Sequence, residues 1–219
     1  MTNRLVVFDC DGTLVDSQHS ICAAMTRAFE EARLSPPDRP AILSVVGLSL
    51  PHAMARLLPE AHSDFHDHLA ERYKLAFQAL RRAEGVQEPL YPGIVDLLVA
   101  LEESGWLLGV ATGKSDRGLD LCLAHHGVRD RFVTLQTADR HPSKPHPSML
   151  LTAMAEAGAA PETTVMIGDT SFDIDMAAAA GVRAIGVGWG YHPPDMLIAA
   201  GAHAVAMDSA ELRAHIDAA

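Results

Sequence analysis

The chain has 219 residues, 48% of them hydrophobic and 21% charged, enough for one ordinary domain with an insertion or for two small ones. A formal net charge of -11 argues against a protein that neutralises a phosphate backbone, so nucleic acid is not an expected partner. Cys10, Cys22 and Cys122 are too few and too scattered for a disulfide framework, and no apolar run is long enough to span a bilayer. With a strand at the start in place of a leader, the expectation is a soluble cytoplasmic protein with no membrane partner.

Arg4 to Phe8 is apolar and β-branched and reads as a buried strand. Asp9 and Asp11 follow it. Residues two apart in an extended segment point the same way, so both carboxylates can share one space at the strand's carboxyl end. Gly12 lets the backbone turn and present N–H groups to an anion. Cys10, between the aspartates, reads as a small buried residue. A cysteine phosphatase would carry Arg six positions on, where this chain has Asp16.

From Ser17 to Glu84 the spacing is helical. Ser17 is a plausible N-cap, and Ile21, Met25, Ala28, Phe29 and Ala32 form one face. Pro36, Pro37 and Pro40 are expected to break the helix. The period returns through Met54, Leu57 and Leu58, then through Leu69, Tyr73, Ala76, Phe77 and Leu80. No strand is expected here. A helical segment, residues 15–85, is therefore inserted into a core made of 1–14 and 86–219.

After Pro89–Gly93 strands and helices alternate. Strands are expected at Trp106–Ala111, Phe132–Leu135, Thr164–Ile167, Arg183–Val187 and His203–Ala206. Helices are expected near Ile94–Glu103, Arg117–His126, Ser148–Ala157 and Phe172–Ala180. That alternation defines an α/β fold, a doubly wound parallel sheet with helices on both faces.

Asp9/Asp11, Thr112, Lys144 and Asp169/Asp173 then fall just after strands or in the loops beyond them, where open α/β sheets bind ligands. Singly, each has a structural alternative. Asp-Gly makes turns, Thr112–Gly113 can cap a helix, Lys144 can be a solvated loop charge, and Asp173 can cap a first turn. Together they suit a phosphate monoester. A carboxylate approaching about two phosphate charges at about 4 Å meets roughly 8 kcal/mol of repulsion at an effective dielectric near 20. Mg2+ held by Asp9, the Asp11 main-chain carbonyl and Asp169 would remove it, aided by Lys144. The Thr112 hydroxyl and the Gly12 and Gly113 amides could donate to phosphate oxygens. Asp9 would become an aspartyl-phosphate, with Asp11 as general acid and base.

Asp9-x-Asp11-Gly12-Thr13-Leu14, Ala111-Thr112-Gly113-Lys114, Ser143-Lys144-Pro145 and Gly168-Asp169-x3-Asp173 resemble the four motifs of the haloacid dehalogenase-like hydrolase superfamily. The resemblance implies a Rossmann-like core with the helical cap of subfamily I. It makes Asp9 the nucleophile and Asp11 the acid/base, with Thr112 and Lys144 on the phosphoryl group. Asp169 becomes a Mg2+ ligand, and Asp173 a ligand through water or a support behind it. Residues 184–192 and 201–203 are similar to the phosphoglycolate phosphatase branch. The implied activity is a Mg2+-dependent phosphatase acting on a small phosphorylated metabolite, phosphoglycolate-like. A β-phosphoglucomutase-like mutase, a pyrophosphatase and an inactive binding module are the alternatives. Asp11 excludes the dehalogenase and phosphonatase patterns, which lack an acid there.

Three other clusters are weaker. Gly186-x-Gly188-x-Gly190 runs into Tyr191-His192-Pro193 and lacks the helix of a dinucleotide loop. His62, Asp64, His66, Asp67 and His68 read as a solvated polar face, with a metal site as the minor alternative. The loop Val46–Leu50 should set specificity. It is neutral, with Arg56 the nearest cation downstream, so no anchor for the distal phosphate of a mutase intermediate is expected.

Overall fold

The structure, a computed structural model, describes residues 2–85 and 87–218. Strand β1 (Asn3–Phe8) leads into four helices, α1 (Gln18–Glu31), α2 (Arg39–Leu43), α3 (Leu50–Leu57) and α4 (Ser63–Glu84). Next come α5 (Ile94–Glu103), β2 (Trp106–Thr112), α6 (Asp116–His125), β3 (Phe132–Thr137), α7 (Ser148–Ala157) and β4 (Ala159–Gly168). The chain closes with α8 (Ser171–Ala180), β5 (Arg183–Val187), α9 (Pro194–Ala199), β6 (Ala204–Ala206) and α10 (Ser209–Asp217).

All strand pairs are parallel, in the order β3-β2-β1-β4-β5-β6. Leu5 and Val7 join one apolar cluster and Val6 and Phe8 the other, so the run is apolar at every position because both faces of β1 are covered. Helices α5, α6 and α10 cover one face; α7, α8 and α9 cover the other. The strand order reverses between β1 and β4, which leaves a crevice at their carboxyl ends.

Helices α1–α4 build a third cluster from Ile21, Met25, Phe29, Ile42, Met54, Leu69 and Tyr73. No strand occurs among the described residues of this insertion. It leaves and rejoins the core side by side. Val15 bridges Leu90 antiparallel, the Asp16 amide donates to the Pro89 carbonyl at 2.8 Å, and the Tyr91 amide donates to the Leu14 carbonyl at 3.0 Å. The expected boundary at 14/15 falls inside this bridge. The one at 85/86 meets Val86, outside the described residues.

Several local expectations change. Pro40 does not end a helix but sits in the first turn of α2, where its missing N–H is not needed and Asp38 accepts from the Ala41 amide at 2.9 Å. β4 begins at Ala159, five residues early, through an irregular stretch opposite Asn3–Leu5. Helices α9 and α10 were not expected. The helix after β2 is capped by Ser115, which accepts from Gly118, and not by Thr112–Gly113.

Candidate active site

The crevice collects side chains from the ends of β1, β2 and β4 and from the loop before α7. Asp9 continues β1: its amide donates to the Ile167 carbonyl at 2.9 Å, which points its fully buried side chain into the crevice. Oδ1 accepts from the Cys10 amide at 2.6 Å and from Lys144 Nζ at 3.1 Å, while Oδ2 has no hydrogen-bond partner among the described residues. Asp169 Oδ1 accepts from Thr13 Oγ1 at 2.9 Å and Oδ2 from the Tyr191 amide at 2.9 Å. Asp173 Oδ1 accepts from Lys144 Nζ at 2.6 Å. Its Oδ2 accepts from the amide and hydroxyl of Thr170, so it caps α8 as well as facing the crevice.

One oxygen from each of Asp9, Asp169 and Asp173 lies within 4.8 Å of the others. Burial pushes Asp9 up to about 7, against the pull of Lys144 and with repulsion from Asp173 and Asp11 added. Burial, with Asp9 and Asp173 alongside, raises Asp169 well above the usual carboxylate range. Burial works against the Lys144 charge, but Asp173 and Asp9 overcome it and hold the ammonium above its ordinary value. Three buried carboxylates, two of them on one ammonium, with an oxygen that has no partner among the described residues, fit a small hard cation such as Mg2+. The backbone has made room for this: a Cβ on Gly12 or on Gly190 would lie 2.1 Å from an Asp169 side-chain atom.

Asp11 is placed differently. Its carboxylate is not among those three oxygens. Oδ1 takes Lys114 Nζ at 2.8 Å and the Ser17 hydroxyl. Since Ser17 gives its only proton to Asp11, the Tyr191 hydroxyl at 3.0 Å must donate to Ser17 Oγ. Burial and the nearby Asp11 keep that phenol protonated. Burial opposes the Lys114 charge, yet Asp11 and Glu88 hold it well above its ordinary value. With Oδ1 filled by two donors, any proton Asp11 carries belongs on Oδ2.

Among the other expected site residues, Thr112 is buried at the end of β2, and its Oγ1 accepts from the Lys114 amide at 3.2 Å, leaving its hydrogen to donate. Gly113 lies under the loop of the insertion: a Cβ there would come 2.7 Å from the Leu48 carbonyl oxygen. Gly12 corrects an expectation. Its amide donates to the Val15 carbonyl at 2.9 Å and is not available to an anion; with φ of +82° its contribution is the turn and the room for Asp169. Ser17 sits at the α1 N-cap position but makes no capping bond, because its hydroxyl serves Asp11. His66 is buried and donates to the Leu58 carbonyl at 2.9 Å, while His62, Asp64, Asp67 and His68 are exposed; among the described residues they form no metal cluster. The sequence assigns no part in the site to Lys114, Ser17, Thr13 or Tyr191, although Lys114 and Thr13 stand inside the motifs.

A parallel sheet with carboxylates, an ammonium and a hydroxyl gathered at its switch point has the make-up of an enzyme centre of the open α/β class that could act on an anionic group. The comparisons agree. The model of the haloacid dehalogenase-like hydrolase family matches residues 6–187, and the chain belongs to that family. It is 40% identical over 201 residues to "Probable phosphatase IndB" of Dickeya dadantii, covering 90% of this chain and 86% of that one. It is 32% identical over 192 residues to a phosphoglycolate phosphatase of Pseudomonas putida, covering 86% and 71%. The solved structure of a predicted phosphatase from Clostridium acetobutylicum has the same fold, with a TM-score of 0.90, full coverage of both chains and 24% identity. The protein is thus an enzyme of the phosphatase type within this family.

Proposed function

We propose that the protein hydrolyses the phosphate monoester of a small metabolite, with Mg2+, through an aspartyl-phosphate on Asp9. The observation that carries this is the division of labour between the two aspartates of the first motif. Asp9 shares a buried space with Lys144, Asp169 and Asp173 and keeps Oδ2 free. Asp11 is held apart by Lys114 and Ser17.

Asp9, Asp169 and the Asp11 main-chain carbonyl would hold Mg2+, with Asp173 behind or beside them. The ion would supply positive charge against the negative charge of the phosphate. Lys144 adds a fixed charge, and Thr112 and the Gly113 amide donate to phosphate oxygens. An Asp9 oxygen attacks phosphorus, a carboxyl–phosphorus bond forms, and the ester P–O bond breaks. Asp11 passes its Oδ2 proton to the leaving alkoxide and then takes one from the water that releases phosphate.

The test is phosphate release from a panel of phosphorylated metabolites, phosphoglycolate included, with and without chelator. Turnover restored by Mg2+ is expected; full turnover in metal-free protein refutes the scheme. A mutase stays in the panel for a physical reason. The loop Val46–Leu50 is neutral, but Lys74, Arg81 and Arg82 of α4 line the same cleft, so a distal phosphate is not without cations. Glucose 1-phosphate converted to an isomer without matching phosphate release would replace hydrolysis by transfer.

A further inference from the structure

The cleft between α1–α4 and the core has a volume of about 620 Å³ and ends at Asp11, Gly113 and Lys114. That is the size of a site for a drug-sized ligand, far more than a two-carbon phosphate needs. Its walls are largely apolar: Ile21 and Met25 from α1, Ile42 from α2, Leu48 from the loop, and Tyr73 and Phe77 from α4. Arg81 is committed, its guanidinium paired with Glu88 at 2.6 Å and resting 5.1 Å from the Phe77 ring. Lys74 is paired with Glu71 at 2.7 Å.

Two cations are not committed. Arg82 on α4 and Arg117 on α6 both line the cleft, are exposed, and make no hydrogen bond or ion pair among the described residues. Asp139, the acid that also reaches this rim, accepts from the Asp116 amide at 2.9 Å. In a chain of net charge -11, two arginines on one cleft, one from the insertion and one from the core and neither partnered among the described residues, favour an anion there. Arg56, the cation nearest the loop in sequence, is elsewhere, 5.1 Å from the Phe172 ring.

We infer that the preferred substrate is a phosphate monoester with a ring-sized apolar body and a second anionic group, the body filling the Ile21–Phe77 walls and the anion meeting Arg82 and Arg117. This deepens the phosphatase reading and rests on it. Phosphoglycolate would reach Asp9 but leave the walls wet and the arginines unused.

Three alkyl esters test this: phosphoglycolate, benzyl phosphate and 4-carboxybenzyl phosphate. Burial of the ring should favour benzyl phosphate over phosphoglycolate by at least about ten-fold in kcat/KM. The added carboxylate should give about ten-fold more, and Arg82→Gln with Arg117→Gln should reduce that second gain towards unity. The same order is measured as binding affinity to Asp9→Asn by calorimetry. Phosphoglycolate binding and turning over as well as the ring esters overturns the inference while leaving the phosphatase reading intact. A carboxylate gain that is absent, or that survives the double substitution, overturns the distal-anion part. The predicted affinity order without hydrolysis by the unaltered enzyme supports the ligand class and overturns the phosphatase reading.

Discussion

Asp9 is a carboxylate in a place that resists charge, and its behaviour should follow. An unfolded chain loses this proton near 4, whereas the folded one keeps it to about 7. Between those values the folded state binds the extra proton, so the apo protein loses stability as pH rises through the window. Asp9→Asn removes that burden as well as the nucleophile. Turnover should vanish, and the variant's gain over the unaltered chain, by urea unfolding in chelator, should grow by about 3 kcal/mol from pH 5 to pH 8. A gain flat with pH would contradict the burial account. Asp11→Asn should cost about 10²–10⁴-fold in kcat with alkyl esters and less with aryl esters, whose leaving group needs no proton. Tyr191→Phe keeps the backbone donor to Asp169 but removes the one to Ser17. It should lower kcat for alkyl esters by about ten-fold with Mg2+ affinity unchanged; equal kcat would mean that the Tyr191–Ser17 pair does not position Asp11.

Among elements, a chain of ion pairs ties the end of β2 to α4 beside the cleft. Lys114 lies 2.8 Å from Asp11 and 3.6 Å from Glu88, and Glu88 in turn holds Arg81 of α4. Lys114→Met would leave two buried carboxylates short of a cation, a loss of about 3–5 kcal/mol by urea unfolding. Glu88→Gln should recover part of it; no recovery would show that the two carboxylates do not share Lys114. These couplings explain what the sequence could and could not disclose. Asp9, Thr112, Lys144 and Asp169 are legible because each ends or follows an element whose period is clear, and Asp173 because it stands in the first turn of one. Lys114 stands in a motif, but its partner Glu88 is brought to it only by folding. Gly12 looks like an anion donor until the Val15 carbonyl is seen to occupy its amide. Helix α10 carries its own signal, Asp208-x-x-Glu211, in which Asp208 accepts from the Ala210 and Glu211 amides. The early start of β4 is hidden by Pro161, and Arg82 and Arg117 are far in sequence from the loop Val46–Leu50 whose cleft they share.

For the whole molecule, the proposed cation site should make stability a function of metal. Mg2+ at about one hundred times its dissociation constant should add about 2.7 kcal/mol, read as a rise in melting temperature. The rise should be larger at pH 8 than at pH 6, because Asp9 and Asp169 must release protons to bind a cation. Gly12→Ala, which drives a methyl against Asp169, should abolish it; a full shift in that variant would place the cation elsewhere. The side-by-side bridge at Val15 and Leu90 has a wider bearing. Because the insertion departs and returns at neighbouring points, the sheet registers only a closed detour, whose entropic cost rises as the logarithm of its length. A short glycine-serine link from Asp16 to Pro89 should therefore leave a core that still folds, stripped of Arg82 and the Ile21–Phe77 walls. Lineages could lengthen, shrink or exchange the detour while the residues around Asp9 stayed where they are.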